Sequence, residues 1–268
     1  MSDIIAASIQ MRVGRSLDEN LSEAGRLIAE AVDRGAEVAC LPEYFSTPGV
    51  TIPSKSTQDK VYKRTLEFLR DASKAHEIIL AGNTIELRED GYYNSCFIFE
   101  CGLQIGKHTK VHLTEGEGRF GLKNGKDFSV FESKIGTIGV LICADVLYPE
   151  AGRILGLKGA DIVFNPVVSF FKEEDITKGA RNSIFISRSY DNDFFILKAG
   201  SVGKSPFGSK IAGRSLIASP WGILASAKDE FKSEVLLAAL DMKLLKKIRK
   251  ENYSLYRRVK EAYSPLVK

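Results

Sequence analysis

Residues 4–43 read IIAASIQMRVGRSLDENLSEAGRLIAEAVDRGAEVACLPE, and this stretch decides the fold class. Ile4 to Gln10 is an apolar run of β type. From Leu17 to Asp33 the apolar residues Leu21, Ala24, Leu27, Ile28, Ala31 and Val32 recur at helical spacing, so a helix is predicted there. Gly35 stands where a left-handed cap would stop it. A short apolar strand, Glu37 to Leu41, then runs into Pro42 and Glu43. Strand, helix, strand is the grammar of a layered α/β fold.

The same alternation continues outward. A helix is predicted from about Gln58 to Ala75, then a strand from Ile78 to Gly82. NSCFIFE and LQIGKHTK form a predicted hairpin around Glu100-Cys101-Gly102. Gly136 to Cys143 (GTIGVLIC) ends as a strand buried on both faces would. Helices are predicted at Glu150 to Lys158 and Ile176 to Tyr190, each leading to a strand, Asp161 to Asn165 and Phe194 to Lys198. The end is richer in strand, with Ser215 to Ser219, Ile223 to Ala227 and Val235 to Leu240 before a closing helix near Asp241. Strand and helix numbers suit a helix–sheet–sheet–helix sandwich, although periodicity alone does not choose it over one doubly wound sheet. No linker, low-complexity segment or short repeat interrupts residues 1–268, which read as a single domain.

Bulk properties narrow the function classes. Of the 268 residues, 44% are hydrophobic and 27% charged, as in an ordinary globular protein that needs no staples. The net charge is +4, with both signs interleaved. The most basic stretch, Lys243 to Lys260, reads as a solvated helix face with Leu244, Leu245 and Ile248 on its apolar side, so no nucleic-acid partner is expected. No apolar run is long enough for a membrane helix and no secretory signal opens the chain, so a cytoplasmic protein away from membranes is expected. Cys40, Cys96, Cys101 and Cys143 form no C-x-x-C pair and are expected as free thiols.

Three polar residues stand at abrupt ends of predicted strands, where α/β folds place active sites. Glu43 ends VACLPE, Lys110 ends QIGKHTK, and Cys143 ends GVLIC and turns into a helix near Pro149. A cysteine on a strand-to-helix turn is exposed as a nucleophile and offers the next backbone N–H to an oxyanion. A free thiol is mostly protonated at neutral pH and needs a base or a cation, roles open to Glu43 and Lys110. Taken singly, Cys143 also reads as a small core residue, Glu43 as a helix-start carboxylate and Lys110 as a surface lysine. Of the histidines, His76 reads as structural. His108 and His112 lie four apart with Glu115 nearby, but that spacing joins a metal only on a helix, and this segment reads as strand into loop. No metal is expected, and no phosphate-binding glycine loop is present.

LPEYF at 41–45, KVHL at 110–113 and CADVLYPE at 143–150 resemble, in order and separation, the three catalytic motifs of the nitrilase, or carbon–nitrogen hydrolase, superfamily. The opening strand and helix, GRSLIASPWG at 213–222 and LDMKLLKKIRK at 240–250 are similar to further landmarks of that family. The resemblance implies an α/β fold built as a four-layer α-β-β-α sandwich. It implies a Cys–Glu–Lys triad without cofactor or metal, with Cys143 as nucleophile, Glu43 as base and Lys110 as oxyanion stabiliser. The reaction implied is hydrolysis of a small linear amide to acid and ammonia through a thioester. An N-carbamoyl substrate, or a non-catalytic binding member of the fold, is the alternative.

A second glutamate is common in the family, and Glu117 is chosen for it, with Glu115 as rival. Substrate contacts are expected from Tyr44, Ala144, Tyr148 and Asn165, and Arg119, Lys172 and Arg181 would suit a carboxylate on the substrate. A homodimer or higher homo-oligomer is implied. The chain departs from the family at Ala144, where an aromatic residue is usual. Arg188-Ser189-Tyr190-Asp191-Asn192 carries a shortened acid, and Lys198-Ala199-Gly200 stands where an Asn-Arg pair is common. Ala144-Asp145 in place of Trp-Glu favours amides over nitriles.

Overall fold

The computed structural model describes residues 3–50, 55–205 and 207–267. Strand β1 (Ile4–Arg12) leads into helix α1 (Leu17–Asp33), whose start is set by Ser16: its hydroxyl accepts the Glu19 N–H at 3.2 Å. Leu21, Ala24, Leu27, Ile28 and Ala31 form its buried stripe, and Gly35, at φ 90°, turns the chain back into β2 (Val38–Cys40). Next come α2 (Lys55–Ala75), β3 (Ile79–Arg88), β4 (Gly91–Glu100), β5 (Leu103–Thr109) and the single turn α3 (Glu115–Arg119). The second half holds β6 (Val130–Ser133), β7 (Gly136–Val140), α4 (Pro149–Leu157), β8 (Ile162–Val167), α5 (Arg181–Asn192) and β9 (Phe195–Lys204). It closes with β10 (Lys210–Ile211), β11 (Leu216–Ser219), β12 (Gly222–Ser226), β13 (Glu234–Leu240) and α6 (Met242–Glu251).

The strands run in the order β5-β4-β3-β2-β1-β9-β8-β7-β6, with β13 antiparallel to β1 and β11 antiparallel to β9. Strands β1, β2 and β3 are parallel, as are β7, β8 and β9. Among the described residues, the sheet of β5 to β1 with β13 meets the sheet of β9 to β6 at Met11↔Ser201 and Arg12↔Val202, so the sheets fold over one another from that seam. Three apolar clusters show the layering. One packs α1 and α2 on the first sheet through Leu27, Ile28, Leu69 and Leu80. A second fills the space between sheets with Val38, Ile79, Val140, Phe164 and Leu197. The third packs α4 and α5 on the second sheet through Leu155, Phe185, Phe194 and Ile196. This is the expected α-β-β-α sandwich.

Among the boundaries that differ from expectation, β3, α5 and β7 do so for local reasons. Strand β3 runs on to Arg88 because it pairs with β4 along its whole length. Helix α5 begins at Arg181 instead of Ile176, because Asp175 accepts the Thr177 N–H at 3.0 Å and its hydroxyl at 2.6 Å, holding a turn that competes with helix. Strand β7 stops at Val140, and the chain bends before Cys143.

Of the basic residues near the C-terminus, Arg249 is spent on the fold: it pairs with Asp161 at 2.8 Å and donates to the Ala160 and Asp193 carbonyls. No helix among the described residues is long and apolar enough to cross a membrane.

Candidate active site

Lys110 follows β5 and buries its ammonium at 1% exposure. Its Nζ lies 2.9 Å from Glu43 Oε1, and 2.9 and 2.8 Å from the two oxygens of Glu117. Glu43 comes from the end of β2 and Glu117 from α3, so three distant stretches meet at one ammonium. Glu117 is oriented by its own helix start: Thr114 and Glu117 form a reciprocal capping box, the carboxylate accepting the Thr114 N–H at 2.8 Å. Glu115 points away, exposed and paired with Arg119. Glu117 is therefore the glutamate that joins the site.

Asn94, on β4, ties the carboxylates together. Its Nδ2 lies 2.8 Å from Glu43 Oε1, 2.7 Å from Glu117 Oε1 and 2.6 Å from the Tyr44 hydroxyl. Asn83 orients that amide by donating to Asn94 Oδ1 at 2.7 Å, and also accepts the Tyr44 N–H at 2.9 Å. Tyr44 has φ 55° and donates its hydroxyl to Glu117 at 2.6 Å, so it braces the glutamate from beneath. Spacing arguments passed over Asn83 and Asn94. The only signal was two asparagines inside otherwise apolar strands.

Cys143 sits on a sharp elbow with φ 46°, a left-handed conformation that a side chain adopts only when its surroundings impose it. Asp145 imposes it. This fully buried carboxylate accepts the Ile142 N–H at 3.1 Å, and the N–H and Nδ1 of His112 at 2.9 Å each. The His112 ring stacks on Tyr148 with centroids 3.5 Å apart, while His108 Nε2 lies 3.5 Å from Asp145. His112 thus braces the elbow, and no group of three His, Cys, Asp or Glu among the described residues is placed to hold a metal ion. Asn165, expected among the substrate contacts, is fully buried and donates to the Leu141 carbonyl, two residues before the nucleophile. Ala144 is half-buried beside Cys143, and Tyr148 is exposed at the elbow's rim.

The backbone of one residue, Val168, links thiol and carboxylate. The Val168 N–H donates to Glu43 Oε2 at 2.9 Å, and the Val168 carbonyl lies 3.7 Å from Cys143 Sγ. The charge of Glu43 acts on the thiol and helps push it up. Of the cations once considered for a substrate carboxylate, Arg119 is spent on Glu115 and Arg181 on Asp175, while Lys172 is exposed.

The electrostatics separate the two glutamates. Burial raises the pKa of Glu43, and the nearby Lys110 ammonium does not fully offset it. Burial acts on Glu117 in the same sense, but Lys110 and the hydrogen bonds from Tyr44 and Thr114 outweigh it and hold that carboxyl below the usual range. Burial would lower Lys110, yet Glu43, Cys143 and Glu117 together keep it raised, so it stays an ammonium. Burial, then the charge of Glu43, push the Cys143 thiol up. A neutral thiol beside an ionised carboxylate of raised basicity is an arrangement that transfers a proton as sulfur attacks.

The carbon-nitrogen hydrolase family model matches residues 5–250. An omega-amidase of Xenopus tropicalis is 32% identical over 257 residues, covering 91% of this chain and 90% of its own. A nitrilase of Pyrococcus abyssi is 31% identical over 237 residues, 87% of each chain. A solved carbon-nitrogen hydrolase from Helicobacter pylori shares the fold at a TM-score of 0.90 over 99% of both chains, with 23% identity.

Proposed function

The chain belongs to the carbon-nitrogen hydrolase family, and from that premise we propose that it cleaves the C–N bond of a small linear amide through a thioester on Cys143. The carrying observation is the convergence of Glu43 and Glu117 on Lys110, with Glu43 and Cys143 bridged by the backbone N–H and carbonyl of Val168. Lys110, held as an ammonium, does not take the thiol proton. Glu117, held ionised by many donors, is the poorer base. Glu43 remains.

In the first half-reaction Cys143 Sγ attacks the amide carbonyl carbon while its proton passes to Glu43. The electron pair moves to the carbonyl oxygen, where Lys110 and the N–H of Ala144 stabilise the charge. The C–N bond then breaks, Glu43 returns the proton to nitrogen, and ammonia leaves a thioester. In the second half Glu43 takes a proton from water, hydroxide adds to the thioester carbon, and the acid departs as the thiol is restored. Glu117 and Asn94 position Lys110 and Glu43 throughout.

The test is ammonia release over a panel of ω-amides, aliphatic amides, N-carbamoyl amino acids and nitriles. The omega-amidase relative makes ω-amides the first substrates to try. Amide turnover that vanishes in Cys143→Ala, with the fold intact by circular dichroism, supports the reading. Dominant nitrile turnover, or hydrolysis retained by Cys143→Ala, overturns it.

A further inference from the structure

A cleft of about 1120 Å³ opens off the carboxyl ends of β1 and β9, and none of Glu43, Lys110 and Cys143 lines it. The two strands run parallel through Met11↔Ser201 and Arg12↔Val202, at the seam where the sheets meet. Beyond that pairing their connections part. The chain after β1 turns into α1 and on to β2, whereas the chain after β9 doubles back as β10 and pairs with β9 again. Strand ends whose connections diverge in this way leave a crevice, and α/β sheets bind ligands there.

The charge in this crevice is one-sided. Arg12 and Arg15 stand on the β1 wall, Lys204 and Lys210 on the β9–β10 wall, and all four are exposed. Lys204 and Lys210 are register partners, directly opposite one another on antiparallel strands. Like charges so placed destabilise a hairpin unless an anion lies between them. Among the described residues none of the four cations is ion-paired with an acid. Glu19 is the one acid among them that lines the cleft, and it is turned to its own chain, accepting the Arg15 N–H at 3.0 Å. Four cations against one acid leave an excess of three, in a chain whose whole net charge is +4. The Glu23 carboxyl is held low by Arg26, paired at 2.9 Å, with Arg12 a smaller contributor. Gly203 and Gly208 line the lysine wall at φ 125° and 83°, values that favour glycine, and leave space beside it. Phe231 adds an aromatic face, its ring centre 5.8 Å from Lys210 Nζ.

A concave site lined by one sign of charge concentrates the opposite sign. Two cationic walls suit a ligand with several negative groups, and guanidinium forks match phosphate oxygens in pairs. We propose that this cleft is a second ligand site, taking a polyphosphate anion, either free or carried by a nucleotide. It owes nothing to the amide reaction and stands or falls apart from it.

Isothermal titration calorimetry of the whole protein with tripolyphosphate and with ATP reads the site directly. Saturable binding is expected, weakening as salt rises because exposed charges are screened. Arg15→Gln with Lys204→Gln removes two exposed cations that hold no ion pair, so the fold should persist. Tripolyphosphate affinity should fall about tenfold, the worth of one charged hydrogen bond. Lys243→Gln with Lys250→Gln takes the same charge from the exposed face of α6 and should leave binding unchanged. Tripolyphosphate bound as tightly as ATP assigns the site to the phosphates alone, and tighter ATP adds the base; either result supports the proposal. No saturable binding at millimolar ligand, equal losses in the two double variants, or citrate bound as tightly as tripolyphosphate overturns it. None of these measurements involves turnover, so the amidase reading is untouched by their failure.

Discussion

The Gly125 N–H donates to the Lys110 carbonyl at 2.7 Å, and a Cβ on Gly125 would lie 2.1 Å from the Thr109 carbonyl oxygen. The loop after α3 therefore clamps the strand end that carries the central ammonium, and only glycine permits the approach. Because the clash is with backbone, no rotamer change relieves it. Gly125→Ala should destabilise the fold by about 1–3 kcal/mol. It should also displace Lys110, lowering kcat more than it raises KM. Thermal unfolding and steady-state kinetics check both; a variant with wild-type kcat would show that the clamp is dispensable.

Asn94 offers one amide to Glu43, Glu117 and Tyr44. Asn94→Leu keeps the volume and removes the donor. Hydrogen bonds to charged groups are worth about 1.5–3 kcal/mol, and the buried carboxylates would lose theirs. Since that bond lowers the pKa of Glu43, its removal should move the acid limb of kcat/KM to higher pH. A purely structural role would lower the amount of folded enzyme without shifting the profile.

The wild-type profile has a sign fixed by the same carboxyl. Glu43 acts ionised, and burial places its pKa above the ordinary 4.5. Activity should therefore fall as pH drops through a limb above 4.5, while the protein remains folded. Glu43→Gln removes the negative charge that helps push the thiol up, so Cys143 should titrate at lower pH in that variant, seen by thiolate absorbance. Turnover should fall by about 10²–10⁴ as the base is lost. A thiol that titrates unchanged in Glu43→Gln would separate the two groups.

Much of this was legible in the sequence for stated physical reasons. Helix α1 matched its periodicity end to end, because a capped amphipathic stripe with Gly35 behind it leaves little choice. Glu43, Lys110 and Cys143 stood out as polar residues closing apolar runs, and the structure brings them together. Glu117 could have been separated from Glu115 by the Thr114-x-x-Glu117 capping signature, which aims one carboxylate inward. Asn94 could not be found that way. Its role depends on the register of β3 against β4, which sets it opposite Ile85 and near Asn83, and a hairpin's register is not written in its periodicity. The hydrogen bond of Asn165 to the Leu141 carbonyl was not legible either, because a strand-end position does not say which way a side chain faces.

The elbow supplies the last prediction. A positive φ at Cys143 costs energy that the neighbouring structure must supply, and Asp145 supplies it through the Ile142 N–H and both His112 donors. Asp145→Ala would strand these donors in a buried setting, and losing one partner of such a network costs about 3–5 kcal/mol. Asp145→Asn keeps the shape but replaces one acceptor oxygen with an amide that cannot accept the Ile142 and His112 donors together. It should fold, with a smaller loss of stability, while Cys143 relaxes toward ordinary backbone and loses its alignment with Glu43. Denaturant midpoints for both variants, with the rate of Cys143 alkylation, separate the effects. If Asp145→Asn unfolds at the wild-type midpoint and alkylates at the wild-type rate, the elbow is held by something other than this carboxylate.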